Sequence, residues 1–134
     1  MKILIMGLPG SGKTTLAELL AKKLNAQWFN ADKVREQFND WDFSNEGRIR
    51  QSIRMRDLCN SSLSTHTIAD FVCPLPEMRD IFAADIEIWM DTIEAGRFED
   101  TNKAFIPPDV CDYRITSKDA DHWANVISEC STAW

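Results

Sequence analysis

The sequence predicts an α/β fold, a mainly parallel sheet covered by helices on both faces. Three observations lead there. Short apolar runs alternate with longer stretches of helical spacing. The first run, Lys2–Met6, is apolar almost throughout, as in a strand buried on both faces. The chain has 134 residues, 44% hydrophobic and 27% charged, enough for one domain with its own core and too few for two.

The elements follow in order. Lys2–Met6 ends at Gly7 as a first strand, and residues 13–24 place Leu16, Leu19, Leu20 and Leu24 on one helical face. Gln27–Phe29 reads as a second strand and Asp32–Phe38 as a short helix. Ser44 is a helix cap, and the helix after it runs to about residue 62 with Ile49, Ile53, Met55 and Leu58 on its apolar side. Thr67–Cys73 reads as a third strand stopped by Pro74 and Pro76, followed by a brief helix over Glu77–Ala83. Asp85–Met90 alternates Ile86, Ile88 and Met90 with polar or aromatic neighbours, so it reads as a fourth strand. Residues 92–109 are polar with one Gly and two Pro, which predicts a loop or short lid. Tyr113–Ile115 is the fifth strand candidate, and Ser117 would cap a last helix through Ile127 with Trp123 on its apolar side.

Composition excludes several classes. No apolar run approaches the roughly 20 residues of a membrane helix. The start carries one basic and five apolar residues, short of a secretory signal, so a cytoplasmic protein with no membrane partner is expected. A net charge of −6 repels nucleic acid, so a nucleic-acid partner is not expected and an anionic ligand must be held by a local cluster of donors. Cysteines at 59, 73, 111 and 130 form no C-x-x-C pair, and reduced thiols are expected.

The strongest motif is Gly7-Leu8-Pro9-Gly10-Ser11-Gly12-Lys13-Thr14, which fits G-x-x-x-x-G-K-[ST] at every fixed position, between a strand and a helix. Glycines let backbone amides approach an anion closely, and the unpaired amides of the following helix carry the positive end of its dipole. Lys13 reaches the β- and γ-phosphates of a nucleoside triphosphate, the Thr14 hydroxyl serves Mg²⁺, and Thr15 is within range of the α-phosphate. A dinucleotide fingerprint does not fit, because the glycines at 7, 10 and 12 read G-x-x-G-x-G. No base-selecting N-K-x-D occurs, since Asn102-Lys103-Ala104-Phe105 lacks the Asp, so a small kinase suits the chain better than a switch GTPase.

The acceptor side has several candidates. Asp32 follows the second strand at the sheet edge that carries the cradle, where it can take a hydroxyl proton, hold a Mg²⁺ water, or cap the next helix. Asp70 lies inside an apolar strand, where a charge needs a cation or hydrogen bonds, so it is either a Mg²⁺ ligand or a structural acid. Arg35, Arg48, Arg50, Arg54 and Arg56 form a local basic cluster in an acidic chain. Arg35 and Arg48 are expected to bind an anion, and two others to pair with Glu46 and Asp57 on a solvated face. Phe43 beside them can stack on a base or join the core. Cys73, at a strand end near this site, reads as a small buried hydrophobe.

Taken together, the chain resembles the adenylylsulfate kinase (APS kinase) family of P-loop kinases. The cradle Gly7–Thr15 is similar to theirs. Asn30-Ala31-Asp32-Lys33-Val34-Arg35 resembles D-G-D-x-[IV]-R, and Phe43-Ser44-Asn45-Glu46-Gly47-Arg48 resembles G-F-S-x-E-D-R. Phe71-Val72-Cys73-Pro74 followed by Arg79 resembles F-I-S-P before an Arg-rich helix, and Lys103-Ala104-Phe105 resembles K-x-F ahead of a Pro-containing segment. The resemblance implies a three-layer α/β/α single-domain P-loop NTPase/kinase fold with sheet order 2-3-1-4-5. It implies transfer of the γ-phosphoryl of ATP, with Mg²⁺, to the 3′-hydroxyl of adenylylsulfate, a small anionic nucleotide-like substrate. Asp32, Arg35, Phe43, Arg48, Lys103 and Phe105 would surround the acceptor, the two phenylalanines sandwiching its adenine, with Cys73 beside them. Thr14, Asp32 and Asp70 are the metal candidates. The family's long basic lid is absent: Thr92–Asn102 fills its place with Arg97 as sole cation. The contraction allows slower transfer, a different acceptor, or a lid lent by a second copy in a homodimer. Other hydroxyl acceptors, namely a nucleoside, nucleotide, sugar acid or nucleic-acid end, and a nucleotide-binding module with reduced transfer, are the alternatives.

Overall fold

The computed structural model describes residues 1–134. Five strands form one parallel sheet: β1 (Lys2–Met6), β2 (Gln27–Asn30), β3 (Thr67–Asp70), β4 (Ile86–Met90) and β5 (Tyr113–Ile115). Their order is β2-β3-β1-β4-β5, with β1 paired to β3 (Ile3 beside Ile68) and to β4 (Ile5 beside Ile88). The helices are α1 (Lys13–Leu24), α2 (Ala31–Phe38), α3 (Asn45–Ser61), α4 (Pro76–Phe82), α5 (Glu99–Ala104) and α6 (Ala120–Cys130), with a closing 3₁₀ turn over Ser131–Ala133. This is the P-loop kinase fold in a single domain.

Strand β1 shows why the layers form. Ile3 and Ile5 point to one face, where they pack with Leu16 and Leu20 of α1 and Ile127 of α6. Leu4 and Met6 point to the other, among Val34 of α2, Met55 of α3, and Met78 and Phe82 of α4. All four β1 side chains are fully buried, as period-two alternation between two apolar faces requires. No helix is long and apolar enough to cross a membrane.

Four sequence expectations need correction. Strand β3 ends at Asp70, not Cys73. Phe71 still donates its N–H to the Ile5 carbonyl, but Cys73 turns into the left-handed region at φ 47° ahead of Pro74, which takes the chain out of the ladder. Residues 99–104 are helical rather than loop. The last helix is capped by Asp119, whose side chain accepts the His122 N–H; Ser117 Oγ instead accepts the Trp123 indole N–H at 3.1 Å. Ile53 faces outward on α3, and Cys59 takes the buried position beside Met55.

Candidate active site

The order β2-β3-β1-β4-β5 places the β1–α1 turn at the middle of the sheet's carboxyl edge, the crevice where open α/β sheets bind ligands. Two glycines there are required by geometry. Gly7 has φ 150°, and a Cβ on it would stand 2.7 Å from the Met90 carbonyl oxygen. Gly12, at φ 100°, is the N-cap of α1 and supplies no side-chain cap. The first turn of α1 contains no acidic residue, so its amides and the positive end of its dipole are left for an anion. Thr14 and Thr15 are exposed at this end. Ser11 Oγ is buried without any hydrogen-bond partner, a polar atom that a bound phosphate oxygen would satisfy. Pro9 and Gly10 complete the rim, and the Ser11 N–H closes the turn on the Leu8 carbonyl at 3.1 Å.

Lys13 folds back over this loop and donates from Nζ to the Leu8 carbonyl at 3.0 Å. Burial pulls its pKa down to about 8; the carboxylates of Asp70 and Asp32 oppose the shift and Arg97 adds to it. Lys13, Asp32, Asp70 and Arg97 therefore share one electrostatic neighbourhood.

Asp70 ends β3 beside β1, 3% exposed. Its carboxylate accepts the Trp28 indole N–H at 2.5 Å and the Asn30 amide at 3.2 and 3.3 Å. The same Asn30 nitrogen lies 3.4 Å from Thr14 Oγ1. Burial raises the Asp70 pKa, while the bonds from Trp28 and Asn30 and the charge of Lys13 work against it. Asp32 stands exposed in the first turn of α2. Asn30 caps that helix by accepting the Lys33 N–H, so the cap role weighed for Asp32 belongs to Asn30.

These oxygens suit Mg²⁺, which keeps several waters and takes one or two protein oxygens plus phosphate. Thr14 Oγ1 and the Asp70 carboxylate lie within one hydrogen-bond chain through Asn30, with Asp32 open to solvent beside them. No cluster of three or more His, Cys, Asp or Glu groups forms a dedicated metal cage.

Of the five arginines, three form ion pairs, one more than the sequence reading expects. Arg50 and Arg54 pair with Asp40, and Arg50 also with Asp42, rather than with Glu46. Arg56 pairs with its neighbour Asp57. Arg35 and Arg48 are buried and form no ion pair. Arg35 donates to the carbonyls of Asp40 and Asp42 at 3.0 and 3.1 Å, and its guanidinium lies 4.3 Å from the centre of the Phe43 ring. Burial lowers the pKa of both, and the charge of Arg48 pushes Arg35 further down. Each guanidinium is thus desolvated with neutral hydrogen-bond acceptors only, Arg35 on two carbonyls and Arg48 on Thr101 Oγ1.

The remaining acceptor candidates are distributed unevenly. Phe43 is 54% exposed. Phe105 stacks on Trp89, with ring centres 6.5 Å apart and planes 26° off parallel, and carries the Arg79 guanidinium at 5.3 Å. Lys103 is exposed on α5. The Cys73 side chain is 1% exposed and packs in the core cluster with Phe71 and Met78, with burial driving its thiol pKa far up. Its carbonyl accepts Arg79 Nε at 3.0 Å, so the backbone is what Cys73 offers to this region.

Two features carried no sequence signal. A cavity of about 230 Å³ flanks the cradle, lined by Gly12, Thr15, Leu16, Ser117, Lys118 and Trp123 among others. The contracted lid segment is seated on the cradle: Thr92 Oγ1 donates to the Ser11 carbonyl at 2.6 Å. A Cβ on Gly96 would stand 2.8 Å from the Pro9 carbonyl oxygen. The Asn102 side chain grips both the N–H (2.7 Å) and the carbonyl (3.0 Å) of Gly96.

A family model described as an AAA domain matches residues 3–97. No curated protein sequence matches the chain. Among solved structures, the APS kinase of Mycobacterium tuberculosis in complex with AMPPNP and APS superposes with a TM-score of 0.79 at 21% identity, over 98% of this chain and 96% of that one. The shikimate kinase of Acinetobacter baumannii in complex with shikimate gives 0.71 at 17% identity, over 98% and 93%. A gluconokinase of Sinorhizobium meliloti gives 0.64 at 12%, over 98% and 95%. These likenesses establish the fold.

Proposed function

The chain belongs to the AAA domain family, and from that premise we propose that it is a kinase moving the γ-phosphoryl of ATP to a hydroxyl on a small anionic acceptor. One observation carries this reading. The uncapped amino end of α1, with its unpartnered Ser11 hydroxyl and buried Lys13, faces the same crevice edge as the exposed carboxylate of Asp32.

Phosphoryl transfer passes through a loose transition state, so the protein's part is positioning and charge stabilisation. The cradle amides left free beside the Ser11–Leu8 turn hold the β- and γ-phosphates. Lys13 exchanges the Leu8 carbonyl for phosphate oxygens, and that partner raises its depressed pKa so that it stays charged. The cavity beside Trp123 and Lys118 receives the base. Mg²⁺, when bound, neutralises charge on the phosphates near Thr14 and Asp70. Asp32 accepts the proton of the attacking hydroxyl. Arg35 and Arg48 bind the acceptor's anionic group, and the seated 92–102 segment with Arg97 limits water.

Adenylylsulfate is the first acceptor to test, supported by the motif order and the likeness to the APS kinase. A compact hydroxy acid such as a sugar acid is the second. The engagement of Phe105 with Trp89 and Arg79 favours it, because that ring is already stacked. Labelled ATP with a panel of adenylylsulfate, shikimate, gluconate and nucleosides tests both. Adenylylsulfate-dependent ADP release is the expected result. Turnover of a hydroxy acid alone would transfer the assignment to the second reading. ATP binding with no acceptor-dependent release would reduce the chain to a nucleotide-binding module.

A further inference from the structure

One carboxamide in β2 touches α1, α2 and β3 at the nucleotide edge. Asn30 is the last residue of β2 and the register partner of Asp70 across the β2–β3 ladder. Its Oδ1 accepts the Lys33 N–H at 3.2 Å and so begins α2. Its Nδ2 donates to both Asp70 oxygens and approaches Thr14 Oγ1 at 3.4 Å. The chemistry permits one orientation: the backbone N–H needs an acceptor and the carboxylate needs a donor. Asp70 gains a second donor from Trp28, two positions before Asn30 on β2.

We propose that Asn30 is a positioning residue for the metal–nucleotide complex, holding the Asp70 carboxylate and the Thr14 hydroxyl in one fixed register while it caps the helix that carries Asp32. The inference rests on the nucleotide reading of this site and deepens it. A cap alone asks only for an acceptor, which Ser, Thr or Asp supplies. The donor half of the amide is not needed to start a helix, and all of it is spent on Asp70 and Thr14. Asp70 is too buried to orient itself through water, so its two protein donors decide where its free lone pairs point. Asn30 is the donor that also reaches Thr14.

The test separates the two halves of the amide. Asn30→Ser keeps a cap of comparable strength and removes the reach to Asp70. Calorimetry with ADP, with and without Mg²⁺, reads the result, and thermal unfolding checks the cap. The expected outcome is a folded chain whose melting temperature falls only by the donor lost from Asp70, unchanged ADP affinity without Mg²⁺, and about a tenfold loss of the Mg²⁺-dependent gain. Combined with Asp70→Asn, which causes its own loss, Asn30→Ser should add less than its loss as a single variant, because the two share the Asp70 carboxylate and only the Thr14 contact is separate. Trp28→Phe, which leaves the cap untouched, serves as a second variant and should show the same Mg²⁺-confined loss at about threefold. Wild-type-like Mg²⁺ dependence in Asn30→Ser, or losses that add in the double variant, would overturn the assignment while leaving the nucleotide site standing. Failure of the wild-type chain to bind Mg·ADP would overturn both.

Discussion

Arg48 Nη2 donates to Thr101 Oγ1 at 3.3 Å, joining the first turn of α3 to α5 across 53 residues of chain. The bond ties α3 to the segment seated on the cradle. Thr101 is itself 8% exposed, so neither group has water to fall back on. Thr101→Val keeps the shape and removes the acceptor. Steady-state kinetics should then show acceptor KM raised about threefold to tenfold with ATP KM nearly constant, an indirect effect smaller than the roughly 1.5–3 kcal/mol of the hydrogen bond to a charged group itself. A rise in ATP KM alone would show that α5 serves the donor side.

Lys13 is held at the expense of stability. Burial lowers its pKa from 10.5 to about 8, so between those values the unfolded chain binds more protons than the folded one. Stability should therefore rise with pH across that window, and below pH 8 the buried charge costs roughly 3 kcal/mol. Lys13→Met should melt higher than wild type at pH 7, lose the pH-dependent rise, and bind Mg·ATP at least 100-fold more weakly. Scanning calorimetry from pH 7 to 10.5 checks the first two and titration calorimetry the third.

Asp32→Asn tests the proton acceptor. Asn30 already caps α2, so the substitution removes only a favourable charge at a helix start, worth about 0.5 kcal/mol. Turnover should drop about 100-fold or more, the range of a general base, while Mg·ADP affinity stays within about threefold. Collapse of affinity with turnover preserved would make Asp32 a metal holder.

Asp40 and Asp42 are kept ionised to unusually low pH by their hydrogen-bond donors. Hydrogen bonds from Arg50, the Asp42 backbone and Arg54 hold the Asp40 carboxyl well below the usual range, and bonds from Ser44 and then Arg50 hold Asp42 at about 2. A depressed carboxylate contributes stability that is complete above the unfolded value near 3.8 and fades as pH falls through the folded one. Acid titration followed by circular dichroism should show the α2–α3 region loosening below about pH 4. Asp40→Asn should remove much of that pH dependence without changing ATP affinity.

Gly96→Ala places a methyl group where the Pro9 carbonyl stands. The segment must lift, so acceptor-independent ADP release should rise several-fold as water enters. A coupled assay without acceptor measures it.

Much of this architecture is written locally. The buried run of β1, the glycines of the cradle and the cap at Ser44 each impose their structure through neighbours a few residues away, so the sequence announces them. Helix α5 does not. Its six residues carry a weak pattern, and its partner is an arginine 53 positions upstream. The cap of α6 lies at Asp119 and not at Ser117, whose hydroxyl accepts the Trp123 indole N–H instead. Within the site, Lys13, Thr14 and Asp32 are legible from register with a motif. Asn30 is not, since its function depends on a ladder partner 40 residues away. The flanking cavity is likewise built from the β1–α1 turn and the β5–α6 connection, which meet only in the folded sheet.

The double grip of Asn102 on Gly96 makes residues 96–102 a closed ring of chain. Such a ring resists bending from within. It is tied down at the near edge by Thr92 on Ser11 and at the far edge by Thr101 on Arg48. Cutting either tie frees one side of a stiff tile and leaves the other side hinged, rather than unravelling it.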